Sequence, residues 1–125
     1  MAGSITVTTS KVGELTKYEI AWVSDASGDV DTSTFDIKTG ELVQAAFTPD
    51  GGGTAPTDLY DVTILDANGA DILAGIGADL SGTVPNAAVP VISTYFRRFL
   101  VEGAVQPVVA AAGNAKGGTI ELLVR

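Results

Sequence analysis

An all-β fold, a single sandwich or small barrel of about eight strands, is the class this sequence predicts. Three observations carry that expectation. Apolar and polar residues alternate at period two in several separate short stretches. Clusters of Asn, Asp, Gly and Pro interrupt them roughly every ten residues. No stretch sustains the 3.6-residue apolar period of a long helix, and no internal repeat or heptad is visible. Jelly-roll and immunoglobulin-like topologies both satisfy this pattern.

The elements follow in chain order. Residues 4–9 alternate Ile5 and Val7 against Thr6 and Thr8, the pattern of a half-buried strand. Residues 17–23 alternate more strongly, with Tyr18, Ile20 and Trp22 on one face and Glu19 and Ala21 on the other; their shared face places Trp22 in the core. Asp25, Ser27, Gly28 and Asp29 supply turn chemistry. A short strand is expected over 34–38. Residues 41–48 fit both a strand and a helix, and Pro49 with Gly51, Gly52 and Gly53 directly behind them favours the strand. The stretch 49–57 is then a loose Gly/Pro loop, or a boundary between an N-terminal and a C-terminal sheet, within one domain spanning 1–125.

Tyr60, Val62 and Ile64 mark one face of the clearest strand, over 59–65. Asn68-Gly69 is expected to reverse it tightly with positive φ at both positions, and Asp71, Ile72 and Leu73 to return as its partner. Residues 75–82 hold too much glycine for a stable helix beyond one short turn around Ala78, Asp79 and Leu80. Residues 84–90 read as an extended, proline-bracketed connection. Residues 94–102 read as one strand, with Tyr95, Arg97, Phe99 and Val101 facing one way and Phe96, Arg98 and Leu100 the other. A last hairpin is expected, running from 105–112 through Gly113-Asn114-Ala115-Lys116-Gly117-Gly118 into 119–124.

Composition narrows function. The 125 residues are 46% hydrophobic and 18% charged, which suits a packed core and not a disordered chain. Much of the apolar content is alanine, so sidedness rests on a smaller set of large residues. So little charge beside so much apolar content also suits a surface partly covered in an assembly. The net charge of −8 opposes nucleic-acid binding, since Arg97-Arg98 is the only basic cluster. Neither cysteine nor histidine occurs, which removes Ser-His and Cys-His catalysis, thiolate zinc and His-ligated metals. The first residues show neither a basic nor an apolar signal-peptide region, and no apolar run approaches the ~18 residues of a membrane span. Synthesis in a bacterial cytoplasm, without export by the general route, is the expectation.

The phrases LYDVTILDANGADILAGIGADLS (59–81) and AAGNAKGGTIELLVR (111–125) resemble small structural proteins of tailed bacteriophages. The resemblance covers about 57–125 and is one of phrasing, not of a catalytic motif. It implies a virion component. A capsid decoration or cement protein, bound to the major capsid protein or other virion proteins as a homo-oligomer such as a trimer, is the function the resemblance implies. A neck, tail or fibre component is the alternative within that class. A carbohydrate- or receptor-binding sandwich is the alternative outside it, and it would need Trp22, Tyr60 and Tyr95 exposed in one patch.

No catalytic, cofactor or metal residues are assigned. Asp25, Asp29 and Asp31 offer oxygens at alternating positions, which suit calcium, but without the bidentate Glu and spacing of a helix-loop-helix site a solvated turn is favoured. The glycines at 75 and 77 echo calcium-repeat and dinucleotide loops in a single incomplete copy, which builds neither. The pairs Asp58/Asp61 and Asp61/Asp66 fall among strand ends and turns, and Glu19 and Glu121 point outward, so no acid/base pair emerges and enzyme activity is not expected. The candidate interface residues are Arg97, Arg98 and Tyr95, where arginine is interleaved with aromatics, together with Ile5 and Val7 on an exposed first strand. The competing reading of the two arginines is an edge strand protected by charge.

Overall fold

The computed structural model describes residues 3–89, 91–92, 95–96, 98–100 and 103–125, with 91–100 described through their backbone pairing. The chain forms two facing antiparallel sheets around one buried cluster. The strands are β1 (Ser4–Val12), β2 (Leu15–Val23), β3 (Phe35–Ile37), β4 (Gly40–Pro49), β5 (Asp61–Leu65), β6 (Asn86–Ala88), β7 (Val91–Ile92), β8 (Tyr95–Phe96), β9 (Arg98–Leu100), β10 (Gly103–Ala110) and β11 (Gly117–Val124). The larger sheet has the order β1-β2-β11-β4-β6, with β9 also pairing β4; the smaller is β3-β10-β5; β7 and β8 pair with each other. An all-β sandwich is therefore the architecture, and among the described residues no helix is long and apolar enough to cross a membrane.

The period-two alternation becomes the core directly. Tyr18, Ile20 and Trp22 of β2 and Ile120, Leu122 and Val124 of β11 are buried from the larger sheet. Tyr60, Val62 and Ile64 around β5 and Val105 and Val109 of β10 meet them from the smaller one. Two tilted aromatic pairs bridge the layers: Trp22 against Tyr60 at 5.6 Å between ring centroids, and Tyr18 against Phe35 at 5.7 Å. Trp22 also needs the glycine beside it. A Cβ on Gly118, its cross-strand partner, would lie 2.9 Å from the indole and 2.9 Å from the Thr48 carbonyl oxygen.

The helix-or-strand ambiguity of 41–48 has a physical source. Leu42, Ala45 and Phe47 are the buried residues of β4, and the first two are three apart, as on a helix. The strand reconciles that spacing with a bulge: Leu123 pairs with Gln44 and Val124 with Leu42, leaving Val43 as the extra residue.

Several expectations need correction. The final hairpin does not form. β10 pairs with β3 and β5, while β11 pairs with β2 and β4, so 111–116 crosses from one sheet to the other. Ala112 is pinned at the sandwich end, donating its N–H to the Gly28 carbonyl and accepting from Thr57.

The Asp71–Leu73 return is not a strand. One bridge joins Leu65 and Asp71, and the chain then passes through successive turns to a second bridge between Tyr60 and Leu80. The reversal before it is a three-residue loop closed by Asp66 N–H to the Ala70 carbonyl. Gly69 (φ 83°) takes positive φ there and Asn68 does not.

Residues 86–88 are a strand, β6, and not merely an extended connection. The single strand expected over 94–102 is two short pieces with different partners, β8 on β7 and β9 on β4; Thr94, Arg97, Val101 and Glu102 lie outside the described residues. The stretch 49–57 does not divide an N-terminal sheet from a C-terminal one, because strands from both halves of the sequence enter each sheet. It is tied down by bonds from Asp50 N–H to the Gly117 carbonyl and from Lys116 Nζ to the Gly53 carbonyl.

Pro107 sits within β10, between two partner strands, yet breaks no ladder. Val109 exchanges both backbone bonds with Val30, so the nitrogen of Pro107, two residues earlier, faces the same side. That side is the gap between β3, which pairs only up to Val105, and the Val30 bridge.

Burial of the Tyr60 ring pushes its hydroxyl up from 10.0 to about 12. A phenol whose folded pKa is raised stabilises the fold below its unfolded pKa, and that contribution is lost as pH rises from 10 toward 12. Denaturant titrations across this window should show stability falling more steeply for the wild type than for Tyr60→Phe. Parallel curves would contradict this assignment.

Candidate interaction surface

The acidic side chains that looked like candidate chemistry serve the backbone instead. Asp71 Oδ1 accepts the N–H groups of Ile64 and Leu73, both at 3.0 Å, and its Oδ2 accepts that of Gly75 at 3.1 Å. Asp66 Oδ1 accepts from Asn68 and Ala70, Asp61 Oδ1 from Asp79, and Asp58 Oδ1 from Gly82. These carboxylates hold the long turn segment 66–82 against β5, where loop N–H groups have no ladder partner.

The Asp25 loop is built the same way. Its Oδ1 accepts from Asp29 at 3.0 Å and from Ser27 at 2.8 Å. The Asp29 N–H above all, with help from Ser27 and Gly28 and against the cost of desolvation, holds this carboxyl below its usual 3.8. Asp25, Asp29 and Asp31 thus form a turn with its own internal partner. Among the described residues no group of three or more acidic side chains is arranged to hold a metal ion.

The outer face of the larger sheet carries many small residues. Thr6, Ala21, Thr119 and Thr48 form one row across β1, β2, β11 and β4, and Thr8, Glu19, Glu121 and Ala46 form the next. Glu19 and Glu121 are directly opposite each other, and Lys17 pairs with Glu19 at 3.6 Å. Among the described residues, Val12, Val23, Leu59, Val84 and Val89 are the exposed large apolar ones. Leu59 combines exposure with a positive φ of 67°, an uncommon backbone state for a branched side chain.

The described candidate interface residues lie on three different strands. Ile5 and Val7 lie on β1 but are half-buried and pack on the core, so their side chains complete the sandwich. Tyr95 is paired through β8 and Arg98 through β9, opposite Leu42 of β4 at the far edge of the same sheet. Arg97 lies outside the described residues. Trp22 and Tyr60 are buried against each other, so two of the three aromatics required for a sugar platform are in the core.

What sequence reading missed is how far the first strand runs. β1 extends three residues beyond the expected boundary, to Val12, and turns through Gly13 (φ 61°) and Glu14 into β2. The signal was present in the glycine at 13, where a two-residue hairpin needs positive φ.

No family model, no curated protein and no solved structure matches this chain.

The capping role gives a direct test. Asp71→Ala leaves three N–H groups without their acceptor and should cost about 1.5–3 kcal/mol, the range for bonds to a charged group. Asp36→Ala, at an exposed position on β3, should stay within about 0.5 kcal/mol of wild type. Equal urea midpoints for the two variants would refute the capping assignment.

Proposed function

We propose that this chain is a non-enzymatic structural protein of a tailed-bacteriophage virion, acting on the head as a decoration or cement subunit. The observation that carries the reading is the phage-like phrasing of about 57–125. A compact β-sandwich whose carboxylates are engaged in capping its own loops is compatible with it. The mechanism would be mechanical: modest contacts, repeated by symmetry over a lattice, add through multivalency although each is weak. The partners in this reading are the major capsid protein and further copies of the chain. A neck, tail or fibre position is the second reading, and copy number separates the two.

Quantitative mass spectrometry of purified virions should find about one copy for each capsid subunit, as lattice-wide decoration requires. A few copies per particle would move the protein to the neck, tail or fibre. Its absence from the particle would overturn the virion reading.

A further inference from the structure

Sheet edges are where this molecule is uneven. β5 is covered on its outer side by the turn segment that follows it. Val62 N–H bonds the Gly77 carbonyl, and the Ile72 and Leu80 N–H groups bond the Ile64 and Tyr60 carbonyls. β3 and β6 are three residues each, and β6 is bracketed by Pro85 and Pro90 in sequence. These are the usual protections of an edge: cover, shortness and proline.

β1 has none of them. It is a nine-residue edge strand, paired with β2 from Ser4 to Val12 without a bulge, free of proline, and charged only at Lys11.

The register shows which backbone groups are open. Val12 and Leu15 close a two-residue turn and so form a hydrogen-bonded pair. Alternation then directs Ser10, Thr8, Thr6 and Ser4 toward β2. Ile5, Val7, Thr9 and Lys11 direct their N–H and C=O groups to the open side.

We propose that β1 is a self-association surface, on which two copies of this chain pair their β1 strands antiparallel about a two-fold axis. This pairing deepens the structural-protein reading and rests on it for its purpose, since it supplies a contact between copies.

Three features favour a second copy as occupant. The open positions match themselves across a two-fold: Ile5 faces the partner's Lys11 and Val7 faces the partner's Thr9, each pair able to exchange two backbone bonds. The half-buried Ile5 and Val7 of both copies then lie under one continuous sheet, which covers their remaining exposed surface. Charge is complementary at both ends. Gly3 packs against the backbone of Asp29 and Val30, so the acidic loop of Asp25, Asp29 and Asp31 adjoins the start of β1, where the partner's Lys11 arrives. β1 itself carries no acid, so no carboxylate lies within the paired strands. One strand pair buries less than the roughly 1,200 Å² of a standard stable interface, so a weak, concentration-dependent dimer is expected.

Sedimentation velocity of the purified chain from micromolar to millimolar concentration tests this, combined with amide exchange at its extremes. A dimer should form as concentration rises, with Val7 and Thr9 amides becoming protected while Thr8 is protected throughout. Thr9→Pro removes an open-edge donor and no β1–β2 bond, and should weaken dimerisation at least about tenfold with a native circular dichroism spectrum. Lys11→Glu, which leaves the backbone intact, should weaken it too, most at low salt. A monomer at every concentration overturns the proposal. So does a dimer whose Val7 and Thr9 amides stay exchangeable, or one indifferent to both variants. These readouts need no virion, so their failure is distinct from a failure of the copy-number measurement.

Discussion

The crossing of residues 111–116 between the two sheets is the constraint from which the rest of the sandwich follows. It delivers β11 to the middle of the larger sheet, hydrogen-bonded to β2 on one side and β4 on the other, while β10 stays in the smaller sheet. The crossing bends through Ala111 (φ 60°), Gly113 (φ 91°) and Ala115 (φ 53°), and a buried serine holds it. Ser24 donates its hydroxyl to the Gly113 carbonyl at 2.6 Å and accepts from Lys116 N–H at 2.9 Å. Its backbone N–H also bonds the Lys116 carbonyl at 2.8 Å, so the end of β2 and the start of β11 are locked in register. With that register set, Gly118 falls beneath Trp22, and the indole reaches Tyr60 on the opposite layer.

The acidic composition has a structural explanation inside this frame. A chain with few strands in its smaller sheet must hold a long turn region in place without ladder bonds. Asp58, Asp61, Asp66 and Asp71 do so by accepting backbone N–H groups from residues as far as 24 positions away in sequence. Carboxylates are strong acceptors for this purpose. Low charge density elsewhere leaves a sheet face rich in small residues and one long bare edge, the features that a protein working through contacts can use.

Much of the fold was legible in the sequence because period two reports burial: Tyr18/Ile20/Trp22, Tyr60/Val62/Ile64 and Ile120/Leu122/Val124 all face inward. Periodicity is silent about partners. The inward residues of β10 and β11 share a buried side whether the strands form one hairpin or face each other across the core, so the apparent hairpin and the real crossing look alike in sequence. Asp71 illustrates a second limit. Its position beside Asn68-Gly69 suggested a returning strand, but its carboxylate bonds Ile64, Leu73 and Gly75 and turns the chain away. At the interaction surface, Ile5 and Val7 marked the right strand for a reason that side chains do not express. What is open on β1 is the backbone, and only the register against β2 shows which groups those are.

The sandwich stands or falls on the placement of β11. Proton NMR of backbone contacts measures it directly. Glu19 and Glu121 occupy a non-hydrogen-bonded pair, where α-protons of neighbouring antiparallel strands lie closest, and so do Lys17 and Leu123. Strong α-proton cross-peaks for those two pairs are the expected result. Cross-peaks joining Ala110 to Glu121, as a direct β10–β11 hairpin would require, would contradict the crossing and with it the sandwich described above.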